Sequence, residues 1–209
     1  MGPKDQKPAP PETIARAPRF IIVVGDPGLE EHNLGYLLEL AAATHEKELQ
    51  ANSFPQVPSS SGAAIKRVRC SSISAMNDAL EPGNVAYLAY FGHSWEQALY
   101  VGERHVPDAN LCFGDDLHKE KFAPHAQIRL FGCKAGRGAN SIAEQLHKAL
   151  NVVVYAYENP GGSLFTQDRQ LGHGFRAVTQ ADVRNHSFKA ASDTWMVPAQ
   201  GVATFRVFR

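Results

Sequence analysis

Ile128-Arg129-Leu130-Phe131-Gly132-Cys133-Lys134-Ala135-Gly136-Arg137-Gly138 is the stretch that decides how the chain folds. An apolar run stops at a Gly-Cys pair, and a glycine-rich turn follows. A helix then opens at Ser141, where Ser141-Ile142-Ala143-Glu144 has the spacing of a capping box. A cysteine at the C-terminal end of a buried strand, just ahead of a helix, is where open α/β sheets carry reactive groups. Upstream, Val85-Ala86-Tyr87-Leu88-Ala89-Tyr90-Phe91 runs into Gly92-His93-Ser94 in the same way. If the two strands are neighbours, their loops share one crevice and an imidazole faces a thiol.

Outward from this pair the chain alternates strand and helix. Arg19-Phe20-Ile21-Ile22-Val23-Val24-Gly25-Asp26-Pro27-Gly28 predicts the first strong strand, whose four consecutive branched residues mean burial on both faces as in a central parallel strand, ended by the turn Asp26-Pro27-Gly28. The spacing of Leu34, Leu37, Leu38 and Ala41 predicts a helix over 34–50. Residues 64–70 alternate and read as a half-exposed strand near an edge, and 74–80 as a short helix. Residues 97–102 read as a small strand or hairpin arm, and 108–122 are polar and mixed. Residues 152–157 form another buried strand with a turn at 158–162, the pattern weakens to irregular structure over 163–192, and 202–208 alternate as an edge strand would. The sum predicts an α/β fold, a mainly parallel central sheet flanked by helices on both faces. Residues 1–18, with five prolines and several charges, read as a disordered leader or linker, and 19–209 as a single domain.

Composition excludes several functions. The 21 basic residues balance the 21 acidic ones, which argues against a nucleic-acid partner held by bulk charge. No apolar run has the length of a membrane span, and residues 1–18 lack the apolar core of a signal peptide. Three cysteines make no disulfide framework and fit an all-reduced chain, so a cytoplasmic location is expected, that of a target cell included. His105, His118 and His125 are too irregularly spaced for a metal site, and nothing resembles His-Glu-x-x-His. Gly132, Gly136 and Gly138 do not fit a phosphate-binding Gly-x-Gly-x-x-Gly, so neither metal nor cofactor is expected.

The chemistry needs only the pair. A cysteine attacks as its thiolate and requires a nearby base, and a histidine can take the thiol proton and later protonate a leaving amine. That assigns His93 as general base and acid and Cys133 as nucleophile. Backbone N–H groups around Gly92, Ser94 and Gly132 are the candidate oxyanion donors, and the N-terminus of the Ser141 helix would favour negative charge nearby. Asp26 and Glu158, at the same sheet edge, are candidates to bind a basic substrate side chain. Cys70 and Cys112 read as structural or incidental. His173, in Leu171-Gly172-His173-Gly174, is a rival base that no strong strand precedes.

Phe91-Gly92-His93-Ser94 and Leu130-Phe131-Gly132-Cys133-Lys134-Ala135-Gly136, in this order and each at a strand end, resemble the His and Cys motifs of caspase-like cysteine peptidases. That group includes caspases, metacaspases, gingipains, separase and the self-processing domains of large bacterial toxins. The resemblance covers roughly residues 20–157, and 130–150 look closest to bacterial members. It implies a caspase-like fold and a His93/Cys133 dyad that cleaves a polypeptide through an acyl-enzyme. It also implies a context, that of a delivered toxin, an effector or a self-processing module, with an inhibitor or immunity protein as partner. Two features depart from the family. Ser94 stands where a glycine usually follows the histidine, and the string Gln-Ala-Cys-Arg-Gly is absent, so a preference for aspartate is not implied. The sequence also holds no concentrated Lys/Arg patch for a phosphate-rich activator. The alternatives are a catalytically inactive caspase-like binding or scaffold module, and another cysteine hydrolase or acyltransferase on a similar sheet.

Overall fold

Residues Phe20 to Val24 are all buried, as an unbroken branched run requires of a strand covered on both faces. They belong to β1 (Arg19–Gly25) of a computed structural model that describes residues 17–26, 32–52, 57–102, 111–132, 134–158, 165–168, 174–177, 194–195 and 205–209. The helix α1 (His32–Gln50), strand β2 (Ala64–Cys70), helix α2 (Ile73–Leu80) and strand β3 (Val85–Phe91) follow. Next come three two-residue strands, β4 (His93–Ser94), β5 (Leu99–Tyr100) and β6 (Leu111–Cys112), then β7 (Phe122–Leu130), α3 (Ile142–Leu150) and β8 (Val153–Tyr157). The chain continues through β9 (Phe165–Asp168), β10 (Gly174–Ala177) and β11 (Thr194–Trp195) to β12 (Phe205–Phe208).

The main sheet has the order β12-β8-β7-β3-β1-β2. Every pairing in it is parallel except β12 on β8, which is antiparallel. The largely exposed β2 therefore stands at one edge and β12 at the other, and the continuous apolar runs of β1, β3 and β8 lie between them. Ile21, Val23, Leu88, Ile128 and Leu130 face α2 and α3, where Met76, Leu80, Ile142 and Leu146 close one core. Phe20, Ile22, Val24, Phe91 and Phe131 face α1, where Leu38, Ala41 and Leu49 close the other. Fully burying each such side chain is worth about 1.5–3 kcal/mol, so two-sided packing orders these strands more than their propensity does. The side chains of Leu34 and Leu37, expected on the same α1 face, lie outside the described residues.

The fold differs from the sequence expectation in three places. β7 begins at Phe122, six residues earlier than its apolar run, because Phe122 already pairs with Val85 before the strand bulges. The region read as irregular holds β9 and β10, which pair antiparallel within a separate sheet of order β10-β9-β11. Ala17 and Pro18, counted with the leader, are tied to the domain: their carbonyls accept from Asn84 Nδ2 at 3.1 Å and from the Ala64 amide at 3.0 Å. The rest of the expected leader, residues 1–16, lies outside the described residues. Among the described residues no helix is long and apolar enough to cross a membrane.

Candidate active site

The expected adjacency of the two motif strands is what the sheet contains: β3 and β7 are parallel neighbours, in register from Tyr87–Gln127 to Tyr90–Leu130. Their ends are fixed side by side from below. Phe91 and Phe131 stack with ring centroids 4.5 Å apart and planes 18° from parallel, and the Phe131 amide donates to the Tyr90 carbonyl at 2.8 Å. Each ring immediately precedes the glycine of its motif.

The two turns then touch. A Cβ built on Gly132 would lie 2.1 Å from Ser94 Oγ, 2.7 Å from Ser94 Cβ and 3.1 Å from the Gly92 carbonyl. Only glycine at 132 allows this approach. Gly92 is required by a different neighbour, since its Cβ would stand 2.4 Å from the Tyr90 hydroxyl. That hydroxyl lies 2.8 Å from the His93 carbonyl and 2.6 Å from the Tyr100 carbonyl. Burial holds the Tyr90 phenol well above its ordinary pKa, so it remains a donor to these two carbonyls. His93 is half-buried and begins β4, opposite Tyr100 in β5, and β5 pairs in turn with β6. The Trp95 amide donates to Ala98 at 2.8 Å, so by the alternation of antiparallel ladders Ser94 and Leu99 form the non-bonded pair and the Ser94 N–H is directed away from β5.

α3 ties the histidine side to the cysteine side. Its first amide, Ile142 N–H, donates to Glu96 in the β4–β5 hairpin at 2.6 Å, and its second, Ala143 N–H, donates to Ala135 in the turn after Gly132 at 3.1 Å. The third, Glu144 N–H, donates to the Ser141 hydroxyl at 3.3 Å. The amides of α3 are consumed by protein carbonyls and by its own cap, so the helix contributes position and dipole to the site but no donor for a reacting anion. The capping box is shifted by one residue: Glu144 accepts from the Asn140 amide at 2.9 Å, not from that of Ser141.

Charged and aromatic side chains frame the turns. Lys134, in the left-handed region at φ 59°, holds its ammonium 4.4 Å over the ring of Trp95, which is 49% exposed. Arg206 of β12 donates at 3.4 Å to the carbonyls of both Gly136 and Gly138 and stands 3.7 Å from Glu158. Asp26 pairs with Arg69 at 2.9 Å, and its amide sits between the carbonyls of Cys70 and Val101 at 3.0 and 2.9 Å. Asp26 and Glu158 share the sheet edge as expected, but they follow β1 and β8, three strand spacings or roughly 14 Å apart. One substrate side chain cannot reach both, and each already faces an arginine.

Cys133 and His173 lie outside the described residues; Gly132 and Lys134, the chain neighbours of Cys133, lie within them. Cys70 and Cys112 are buried, and burial pushes their thiols up to about 11 and about 12, which suits the structural role expected of both. Among the described residues no group of three or more His, Cys, Asp or Glu could hold a metal ion. Sequence reasoning missed the supporting residues Tyr90, Glu96 and Arg206. Tyr90 alone carried a signal, a hydroxyl inside an otherwise apolar strand that has to find partners when buried. No family model matches the chain, and no curated protein matches it.

Proposed function

We propose that the chain is a caspase-like cysteine endopeptidase acting through His93 and Cys133. The observation that carries this reading is the contact of the Gly92–Ser94 turn with Gly132, the residue bonded to Cys133. His93 takes the Cys133 thiol proton, and the thiolate attacks the substrate carbonyl carbon to give a tetrahedral oxyanion. The Ser94 N–H and the amides at the Gly132–Cys133 turn stabilise that oxyanion. The imidazolium then protonates the leaving amine, and water hydrolyses the acyl-enzyme. The substrate is a polypeptide, and where the enzyme resides in a cytoplasm an inhibitor or immunity protein restrains it.

The test is mass-spectrometric profiling of a proteome-derived peptide library with wild type, Cys133→Ala and His93→Ala, alongside iodoacetamide labelling at neutral pH. Cleavage by wild type alone, with one fast-labelling thiol that is lost in Cys133→Ala, supports the dyad. Full activity in Cys133→Ala refutes it. A folded wild type that cleaves nothing and labels Cys133 no faster than the buried Cys70 points to a binding or scaffold module.

A further inference from the structure

A cavity of about 560 Å³ opens at the other edge of the sheet, where β7 and β8 begin and α3 ends. The distance to the His93 edge is that from Phe122 to Leu130, which pair with Val85 and Tyr90, so roughly 17 Å along β3. Its volume lies within the range of small-molecule sites.

A distortion of the strand builds this cavity. Between the pairs Val85–Phe122 and Tyr87–Gln127, β3 advances by two residues while β7 advances by five. The extra residues include Pro124 and His125, and His125 takes the left-handed region at φ 62°, which is uncommon for residues other than glycine although histidine enters it more readily than most. The bulge leaves the sheet and forms one wall. Phe122, Leu150, Val152 and Val153 supply apolar surface.

The charged side chains of the lining, Lys119 and Arg209, are of one sign. Lys119, His125, His147 and Arg209 line the cavity, and no aspartate or glutamate does. Glu120 lies outside the lining, 3.6 Å from His118. His147 Nδ1 lies 2.9 Å from the Val152 carbonyl, which accepts from it and fixes the ring. The carbonyl end of α3 opposes an anion, and one of its carbonyls, that of His147, is occupied by the amide of Asn151 at 2.9 Å, a residue in the left-handed conformation at φ 56°. We propose that this cavity is a binding site for a small organic anion, a carboxylate or phosphate carried on an apolar body. The inference is independent of the His93 reading.

Titration of the 15N-labelled protein with phenyl phosphate, inorganic phosphate and benzyl alcohol tests it. Phenyl phosphate is expected to shift the amides of Phe122, Asn151 and Val153 saturably. Inorganic phosphate and benzyl alcohol should each bind at least tenfold more weakly, because each carries only half of the recognised chemistry. The variant Lys119→Gln/Arg209→Gln changes two exposed side chains, and it should weaken phenyl phosphate at least tenfold with an unchanged melting temperature. Equal binding by benzyl alcohol, equal binding by inorganic phosphate, unaltered affinity in the variant, or shifts that spread over the surface without saturation would each overturn the proposal.

Discussion

Replacing Gly132 by alanine forces the two turns apart. The new Cβ would stand 2.1 Å from Ser94 Oγ and 2.7 Å from Ser94 Cβ. Rotation about the Ser94 side chain removes the first clash but not the second, which only backbone movement relieves. Reaching ordinary carbon contact near 3.7 Å requires about 1 Å of displacement. Overpacking of this kind costs about 1–3 kcal/mol, and in a chain of this size each kcal/mol lowers the melting temperature by about 2–4 °C. The expected loss for Gly132→Ala is therefore about 2–12 °C. A displacement of about 1 Å at reacting groups also costs on the order of 100-fold in rate. The informative experiment is a double-mutant cycle with Ser94→Gly, measured by urea unfolding and by peptide cleavage. Ser94→Gly removes both clashing atoms and leaves only the Gly92 carbonyl, 3.1 Å from the added methyl. The double variant should return toward Ser94→Gly alone, with a coupling of about 1–2 kcal/mol, while Ser94→Ala rescues only in part. Strict additivity within about 0.5 kcal/mol would mean that the turns are not in contact and would refute the reasoning.

Tyr90→Phe leaves the carbonyls of His93 and Tyr100 without the phenol that lies 2.8 and 2.6 Å from them, so a loss of about 1–3 kcal/mol is expected in chemical denaturation. His45, buried against Tyr87 with its Nε2 2.8 Å from the hydroxyl, has its pKa lowered to about 3, first by burial and second by the Arg129 charge. The unfolded chain therefore binds a proton that the folded one refuses: His45's contribution is complete above about pH 6.5 and is lost as pH falls toward 3, with a slope of up to about 1.4 kcal/mol per pH unit. In His45→Gln that part of the acid-unfolding slope should be absent, and an unchanged slope would remove His45 as its cause. Ser141→Ala deletes the buried cap of α3 and should cost about 1 kcal/mol, read as a shift in the urea midpoint at constant m-value.

The strands with unbroken apolar runs were legible because burial on both faces leaves little alternative. β1, β3 and β8 stand within the predicted spans, and the expected adjacency of β3 and β7 brings Gly92 and Ser94 beside Gly132. The half-exposed alternation of 64–70 and 202–208 likewise pointed to edges, and β2 and β12 occupy them. The start of β7 was not legible. Residues 122–126 carry a proline and three left-over register positions, and a strand that bulges loses the period that marks it. Nor could the sequence show that the first two amides of α3 are spent on Glu96 and Ala135, because both acceptors are backbone carbonyls that any residue possesses.

The serine after His93 illustrates the same limit. Read along the chain, Ser94 departs from the glycine that the caspase-like pattern has there, and its backbone would be less free to turn. In space the reason for a glycine is different. Ser94 is not among the left-handed residues and follows ordinary strand backbone in β4, so its conformation needs no glycine. What needs one is the gap between the two turns, which has room for a single Cβ. Here Ser94 fills that gap and Gly132 leaves it empty. The pair therefore behaves as one unit of volume shared between two motifs about forty residues apart, and the departure at 94 is to be judged with 132 and not by itself. On this argument Ser94 is compatible with an oxyanion role for its N–H, which depends on backbone direction and not on the side chain.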